Sequence, residues 1–149
     1  MSVDEFQKYL SYAVDQYAQE KIQAGNWSVA EGARLAAESY ATDLPDGLAS
    51  PGHYLFTLVN DTNESVGMLW YRIDLGRPQK AFLLDFEVYP ASQRRGYATQ
   101  SLRALDDLAK SQGIKRLELH VFGTNASARA LYLKAGYFET NVQMAKELY

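Results

Sequence analysis

Gln93-Arg94-Arg95-Gly96-Tyr97-Ala98 decides how this chain reads. It follows an apolar, strand-like run, Ala81-Phe82-Leu83-Leu84-Asp85-Phe86-Glu87-Val88-Tyr89-Pro90, and opens a helical pattern from Thr99 to Gln112. A strand that turns through a glycine into a helix leaves backbone N–H groups unpaired at the helix start. Those donors and the positive end of the helix dipole suit an anion, typically a phosphate. Gly96 has no side chain to hold a phosphate off the backbone, and Ala98 is nearly as small. Arg94 and Arg95 add charge beside the same place. Taken alone, the spacing fits an ordinary strand–loop–helix turn with solvated arginines equally well.

A second segment shifts that balance: Asn125-Ala126-Ser127-Ala128-Arg129-Ala130-Leu131-Tyr132-Leu133-Lys134-Ala135-Gly136-Tyr137-Phe138. Together the two resemble the GNAT superfamily of acetyl-coenzyme A-dependent N-acetyltransferases. The first is similar to that family's pyrophosphate loop, Gln/Arg-x-x-Gly-x-Gly/Ala. The second is similar to its asparagine, helix, tyrosine and closing Gly-Phe/Tyr. The likeness runs from about residue 53 to residue 149. Two motifs in the family's order and spacing are more specific than either alone. Ala98 stands where glycine is commonest, a departure the family tolerates.

The resemblance implies an α/β fold (α+β in some schemes) with a mixed, mostly antiparallel sheet flanked by helices. Family members usually begin with a short strand, whereas this chain begins almost directly in a helix. The first edge strand is therefore expected to be missing or supplied otherwise. In such a fold the strand before the loop and the strand after the long helix splay apart. The pantetheine arm of coenzyme A then adds to the open edge like an extra strand. On that resemblance the backbone of Phe86, Glu87 and Val88 pairs with pantetheine. The amides of Arg94, Arg95, Gly96, Tyr97, Ala98 and Thr99 bind pyrophosphate. Asn125 contacts the pantetheine arm, and the Tyr132 hydroxyl lies near the thioester sulfur. Phe86 and Val88 also read as core, and the two roles are compatible because the pairing uses backbone only.

Tyr132 lies seven residues after Asn125, about two helical turns on, so both project from one face. An amine attacking a thioester expels a thiolate, and a phenol of pKa ~10 protonates it at departure. A tyrosine buried for packing is the plain alternative in a chain with 11 tyrosines. A protonated amine cannot attack, so something must take its proton. His120 occupies a position where several relatives place a catalytic glutamate, and its ordinary pKa near 6.5 suits a base. Strand alternation puts Arg116, Glu118 and His120 on one face and Leu117, Leu119 and Val121 on the other. A half-buried structural histidine explains His120 as well. Glu87 and Asp85, on the neighbouring strand, are rival candidates to take the amine's proton directly or through a water. Each is individually better suited to bind or orient the amine than to serve as the base, with Glu87 kept as a catalytic candidate. Tyr9, Tyr12, Tyr17, Trp27, Tyr40 and Tyr54 divide between core and acceptor wall. Of Trp70 and Tyr71, adjacent on a strand, one is expected to face away from the core or into the cleft.

Composition bounds the rest. At 149 residues the chain reads as a single domain, residues 1–149, able to bury about two thirds of its unfolded surface. Hydrophobic residues at 47% and charged residues at 22% are those of a soluble globular protein. No apolar run approaches the ~18 residues of a membrane span, and the acidic start Met1-Ser2-Val3-Asp4-Glu5 does not read as a signal peptide. A cytoplasmic location and no membrane partner follow as expectations. The absence of cysteine excludes disulfides, thiolate metal sites and a cysteine nucleophile. With only two histidines no metal site is expected. A net charge of −3 argues against nucleic acid as a partner.

Along the chain, Val3, Phe6, Leu10, Ala13, Val14 and Tyr17 recur at helical spacing behind a Ser2/Glu5 capping box. Ser28 and Glu31 offer a second box, opening a helix to about Ala41. Tyr54–Val59 and Ser65–Leu75 read as a hairpin, and Arg116–Phe122 as a strand after the long helix. A helix is expected from about Ala126 to Lys134, and two closing strands from Tyr137 to Leu148.

The resulting expectation is transfer of acetyl from acetyl-CoA to a primary amine, on a small molecule or a protein, by direct attack. The missing cysteine favours direct transfer over a cysteine intermediate. The alternatives are a non-catalytic acyl-CoA-binding sensor or regulatory module, and an interaction domain carrying a remnant loop. The sequence leaves a homodimer open.

Overall fold

The computed structural model describes residues 1–146 and Leu148. Two helices, α1 (Val3–Gln23) and α2 (Val29–Asp43), precede strands β1 (His53–Val59), β2 (Ser65–Ile73) and β3 (Lys80–Val88). Helix α3 (Tyr97–Ser111), strand β4 (Arg116–Leu119) and helix α4 (Ala126–Lys134) complete the order. Ser2 starts α1 with the expected capping box: its hydroxyl accepts from the Glu5 amide at 3.2 Å, and its own amide donates to Glu5 at 2.6 Å. At Ser28 the box does not form. The hydroxyl donates to the Glu31 carboxylate at 2.6 Å instead of capping the amide.

The four strands form one sheet in the order β1-β2-β3-β4. β1, β2 and β3 pair antiparallel as a meander, and β4 returns parallel to β3 after the α3 crossover. Among the described residues no strand precedes α1, so the sheet begins at β1, and the first edge strand of the family is absent. Among the described residues the two closing strands expected from Tyr137 to Leu148 are not formed, Glu147 lying outside those residues. Residues 138–146 carry no regular structure and lie exposed. Alternation is present there, but the amides of residues 138–146 donate to no acceptor among the described residues.

Both sheet faces are covered. On one, Leu69, Tyr71, Ala81 and Leu83 pack under Leu102, Leu105 and Ala109 of α3. On the other, Leu55, Met68 and Trp70 pack under Phe6, Tyr9 and Ala13 of α1. This overturns the expectation for the Trp70-Tyr71 pair, since neither side chain is left facing solvent. Trp70 is 3% exposed and donates its indole N–H to His53 at 3.0 Å. Tyr71 is 0% exposed and donates to the Gln112 side chain at 2.7 Å. A sheet with helices on both faces buries consecutive residues, which single-face alternation does not anticipate.

Two irregularities in β3 give the sheet its open side. Trp70 pairs with Asp85 while Tyr71 pairs with Leu83, so Leu84 is an extra residue, a β-bulge. Strict alternation would leave Asp85 under α3 with Ala81 and Leu83. The bulge turns both Leu84 and Asp85 to the α1 side. The second is a splay. Parallel pairing with β4 stops at Leu83↔Leu119, while β3 continues to Val88 with β2 alone beside it.

Candidate active site

The loop after β3 is built of donors. A 3₁₀ turn, Pro90–Ser92, leads to Arg94 at φ 59° and Gly96 at φ 86°, both in the left-handed region. Gly96 is the N-cap of α3 and contributes no side-chain cap. The first helical bond runs from the Gln100 amide to the Gly96 carbonyl at 3.1 Å. The amides of Arg94, Arg95, Gly96, Tyr97, Ala98 and Thr99 donate to no acceptor among the described residues. Such a run of convergent N–H groups at the start of a 15-residue helix is an anion cradle. A Cβ placed on Gly96 would have only Gln100 near it, at 3.6 Å, so the space over the loop is open to solvent. Gln93 ties the loop to β3 by donating its side-chain N–H to the Val88 carbonyl at 3.0 Å.

Beside this cradle lies the free stretch of β3, Phe86 to Val88. Gly67 of β2 lets that stretch sit close, because a Cβ there would run into the Glu87 carbonyl oxygen. The splay leaves the other edge of the stretch open.

Across the splay, on the α1 side, carboxylates meet tyrosines. The Tyr9 hydroxyl donates to Asp85 at 2.6 Å and lies 3.1 Å from the Tyr40 hydroxyl. With the Tyr9 proton committed to Asp85, Tyr40 is the donor to Tyr9. The Tyr12 hydroxyl donates to Glu87 at 3.0 Å. Desolvation raises the Asp85 carboxyl to a pKa of about 6, the Tyr9 hydrogen bond opposing and the negative Glu87 and Glu20 reinforcing. Burial raises Tyr9, Tyr12 and Tyr40 well above an ordinary phenol, and the adjacent carboxylates add to it. These tyrosines stay protonated and serve as donors.

Tyr132, on α4, packs against the α3-side core with Leu131 and Ala135. Its pKa is pushed up to about 12, first by burial and then by the charge of Asp85. Asn125 caps α4 by accepting from the Ala128 amide at 3.0 Å, which commits its carbonyl oxygen and leaves its NH₂ free. It is the N-cap rather than a residue of the helix.

His120 lies just past β4, exposed, its ring edge-on to Phe122 at 5.1 Å. Partial burial and then Lys21 lower its pKa, so it is neutral at pH 7. Lys21 sits among the Tyr17, Trp27 and Phe122 rings, 5.5–5.8 Å from their centroids. The N-terminal aromatic residues are thereby sorted. Tyr9, Tyr12 and Tyr40 reach the carboxylates, Tyr17 and Trp27 hold Lys21, and Tyr54 stacks on Tyr71 on the opposite face. The sequence gives no sign of which tyrosines reach the carboxylates, because the partners of Tyr9, Tyr12 and Tyr40 in that cluster lie 31 to 76 residues away.

An anion cradle with an open strand edge beside it suits a phosphate-bearing donor. Residues 12–137 match the model of the acetyltransferase (GNAT) family, and the chain belongs to that family. It is 44% identical to the uncharacterized N-acetyltransferase YycN of Bacillus subtilis, over 99% of this chain and 96% of that protein. It is 37% identical to YdgE, another uncharacterized N-acetyltransferase of Bacillus subtilis, over 99% of this chain and 95% of the relative. The crystal structure of YycN superimposes with a TM-score of 0.95 at 41% identity, covering 100% of this chain and 96% of the other. The chain is thus an acetyltransferase, of a family whose co-substrates are of the acyl-coenzyme A type. No helix among the described residues is long and apolar enough to cross a membrane.

Proposed function

We propose that this enzyme transfers acetyl from acetyl-CoA to a primary amine by direct attack. The observation that carries the reading is the run of unpaired amides from Arg94 to Thr99 beside the free edge of β3. That arrangement fits the group. The loop amides with Arg94 and Arg95 would hold the pyrophosphate, and the backbone of Phe86, Glu87 and Val88 with Asn125 would hold the pantetheine arm. The thioester supplies an activated acyl carbon and a thiolate leaving group.

This chain's own residues then divide the proton work. Asp85 and Glu87 draw a cationic amine to the tyrosine-lined side. Asp85, with a pKa of about 6, is ionised at neutral pH yet basic enough to accept the amine's proton. Tyr9 and Tyr40 hold that carboxylate in place. Tyr132, protonated at neutral pH, gives its proton to the departing thiolate. A second reading has His120 as the base, favoured by the neighbouring Lys21, which keeps the imidazole in its neutral, proton-accepting form.

Two measurements test the proposal. Coenzyme A should raise the thermal midpoint in a titration, and an amine panel with acetyl-CoA should yield acetylated product and free thiol. Binding without turnover on any amine would favour the sensor alternative, and absence of binding would remove both.

A further inference from the structure

The end of α1 folds back on itself. The Lys21 carbonyl accepts from the amides of Asn26 and Trp27, at 2.9 and 3.3 Å, and this turn sets the Trp27 ring edge-on to Tyr17 at 5.4 Å. Phe122, just past β4, supplies a third ring. The Lys21 ammonium lies 5.5, 5.6 and 5.8 Å from the centroids of Tyr17, Trp27 and Phe122, all within cation–π reach. Lysine and rings are half-buried, and partial loss of water strengthens such contacts.

The plain account of this lysine is a favourable charge in the last turn of a helix. Tyr17 and Trp27 fit that account, since both belong to α1 and the turn that follows it. Phe122 does not. Among the described residues no hydrogen bond or ion pair joins residues 1–49 to residues 116–146, so the polar tie between them is the Lys21–Phe122 contact. Elsewhere α1 is pinned to β3, where Tyr9 holds Asp85 and Tyr12 holds Glu87. Past the last β3–β4 pair, Leu83↔Leu119, the helix thus touches both diverging segments: Glu87 through Tyr12 and Phe122 through Lys21. Tyr12 and Lys21 stand about 13 Å apart along the helix axis. A helix held at both points is a strut across the splay. On its far side the Phe122 carbonyl accepts from the Asn125 amide at 2.9 Å, and Asn125 caps α4, which carries Tyr132.

We infer that Lys21 is a positioning residue for the proposed transfer, an inference that rests on the amine reading above. Its contact with Phe122 sets how far Tyr132 stands from Asp85 and Glu87, and so how the amine meets the thioester. Lys21 touches neither substrate. Misplacement of reacting groups by an ångström or less costs rate. The amide cradle after β3 lies outside the strut, so cofactor affinity should not depend on it.

The test compares variants on one amine that the wild type acetylates. Lys21→Met keeps the stem and loses the cation. Its kcat should fall roughly 10-fold, while coenzyme A affinity by calorimetry stays unchanged. Lys21→Arg, whose guanidinium stacks on aromatic faces, should restore most of that kcat. Phe122→Leu leaves the Lys21 charge beside His120 and should lose the same factor, and the double variant should lose no more than either alone. Full kcat in Lys21→Met, assayed well below its unfolding midpoint, would overturn the inference. A loss that Phe122→Leu does not share would overturn it too, since the charge would then act on His120. So would a fall in coenzyme A affinity that matches the fall in kcat. Absence of wild-type turnover on every amine would instead remove the amine reading and the inference with it, an outcome that the variants alone cannot produce.

Discussion

The two halves of the proposed site are built in opposite ways. The donor half is made of backbone within one continuous stretch, from β3 through Gly96 into α3. The acceptor half is made of side chains from α1, α2 and β3, joined only by folding. A backbone cradle is specific to phosphate chemistry and indifferent to most of its side chains. A cluster of tyrosines and carboxylates is specific to whatever amine it meets. One half therefore reports the reaction class, and the other reports the acceptor.

The largest effect should come from the donor half. Gly96→Val places a branched side chain over the open loop, at a φ of 86° that costs an L-residue about 1–2 kcal/mol. Binding of coenzyme A, followed by calorimetry, should be lost, while thermal unfolding stays cooperative at a modestly lower midpoint. Unchanged affinity would take the pyrophosphate away from this loop, and the contrast between the halves with it.

Next is Tyr132. Tyr132→Phe keeps the packing and removes the proposed proton donor. Turnover should fall by roughly 10²–10⁴ with little change in the Michaelis constant for acetyl-CoA. Full turnover in that variant would return Tyr132 to a packing role.

Asp85→Asn addresses the acceptor half and should act in two directions. Asn keeps an oxygen for the Tyr9 hydroxyl but cannot take a proton, so turnover should drop by about 10². Stability should move the other way. The folded pKa of about 6 lies above the ordinary aspartate value near 3.9, so between those pH values the folded chain holds a proton that the unfolded chain releases. Stability of the wild type thus falls as pH rises through that window and stays lower above it. The variant should be more stable at pH 7 by about 1–2 kcal/mol, with the gap closing below pH ~4. Denaturation curves at pH 4 and 7 decide it; equal stability at both would mean that Asp85 is not strained by burial.

The same contrast explains what could be read in advance. The loop, the long helix, α4 and the hairpin were legible because each rests on neighbours in sequence: a glycine, a cap, a period. The placement of Asp85 was not, because the Leu84 bulge inverts the parity that alternation assigns it. The division of the tyrosines was not legible either, since Tyr9 meets Asp85 76 residues away. The segment after Gly136 was misread for a different reason. Alternation marks a strand former but says nothing about whether a partner edge lies within its reach.

The smallest effect is expected at His120, and it tests whether the acceptor half extends to β4. His120 faces the α1 side, as Glu118 does, but Glu118 is taken up by Lys80 and Arg116. His120 itself stands exposed beside Lys21, a cation that would repel an incoming ammonium. Burial and Lys21 lower its pKa below 6.5, while Asp85 titrates at about 6. Either group would therefore produce a rising limb in kcat/KM on the acid side of neutrality, and the wild-type profile alone is silent on which does. Comparing His120→Ala with Asp85→Asn on one amine separates them. If Asp85 is the base, His120→Ala should keep the limb and nearly all of the rate, while Asp85→Asn should lose the limb. The reverse pattern would move proton transfer to the end of β4 and leave Asp85 as a charge that orients the amine. The tyrosines would then be its scaffold rather than part of the chemistry.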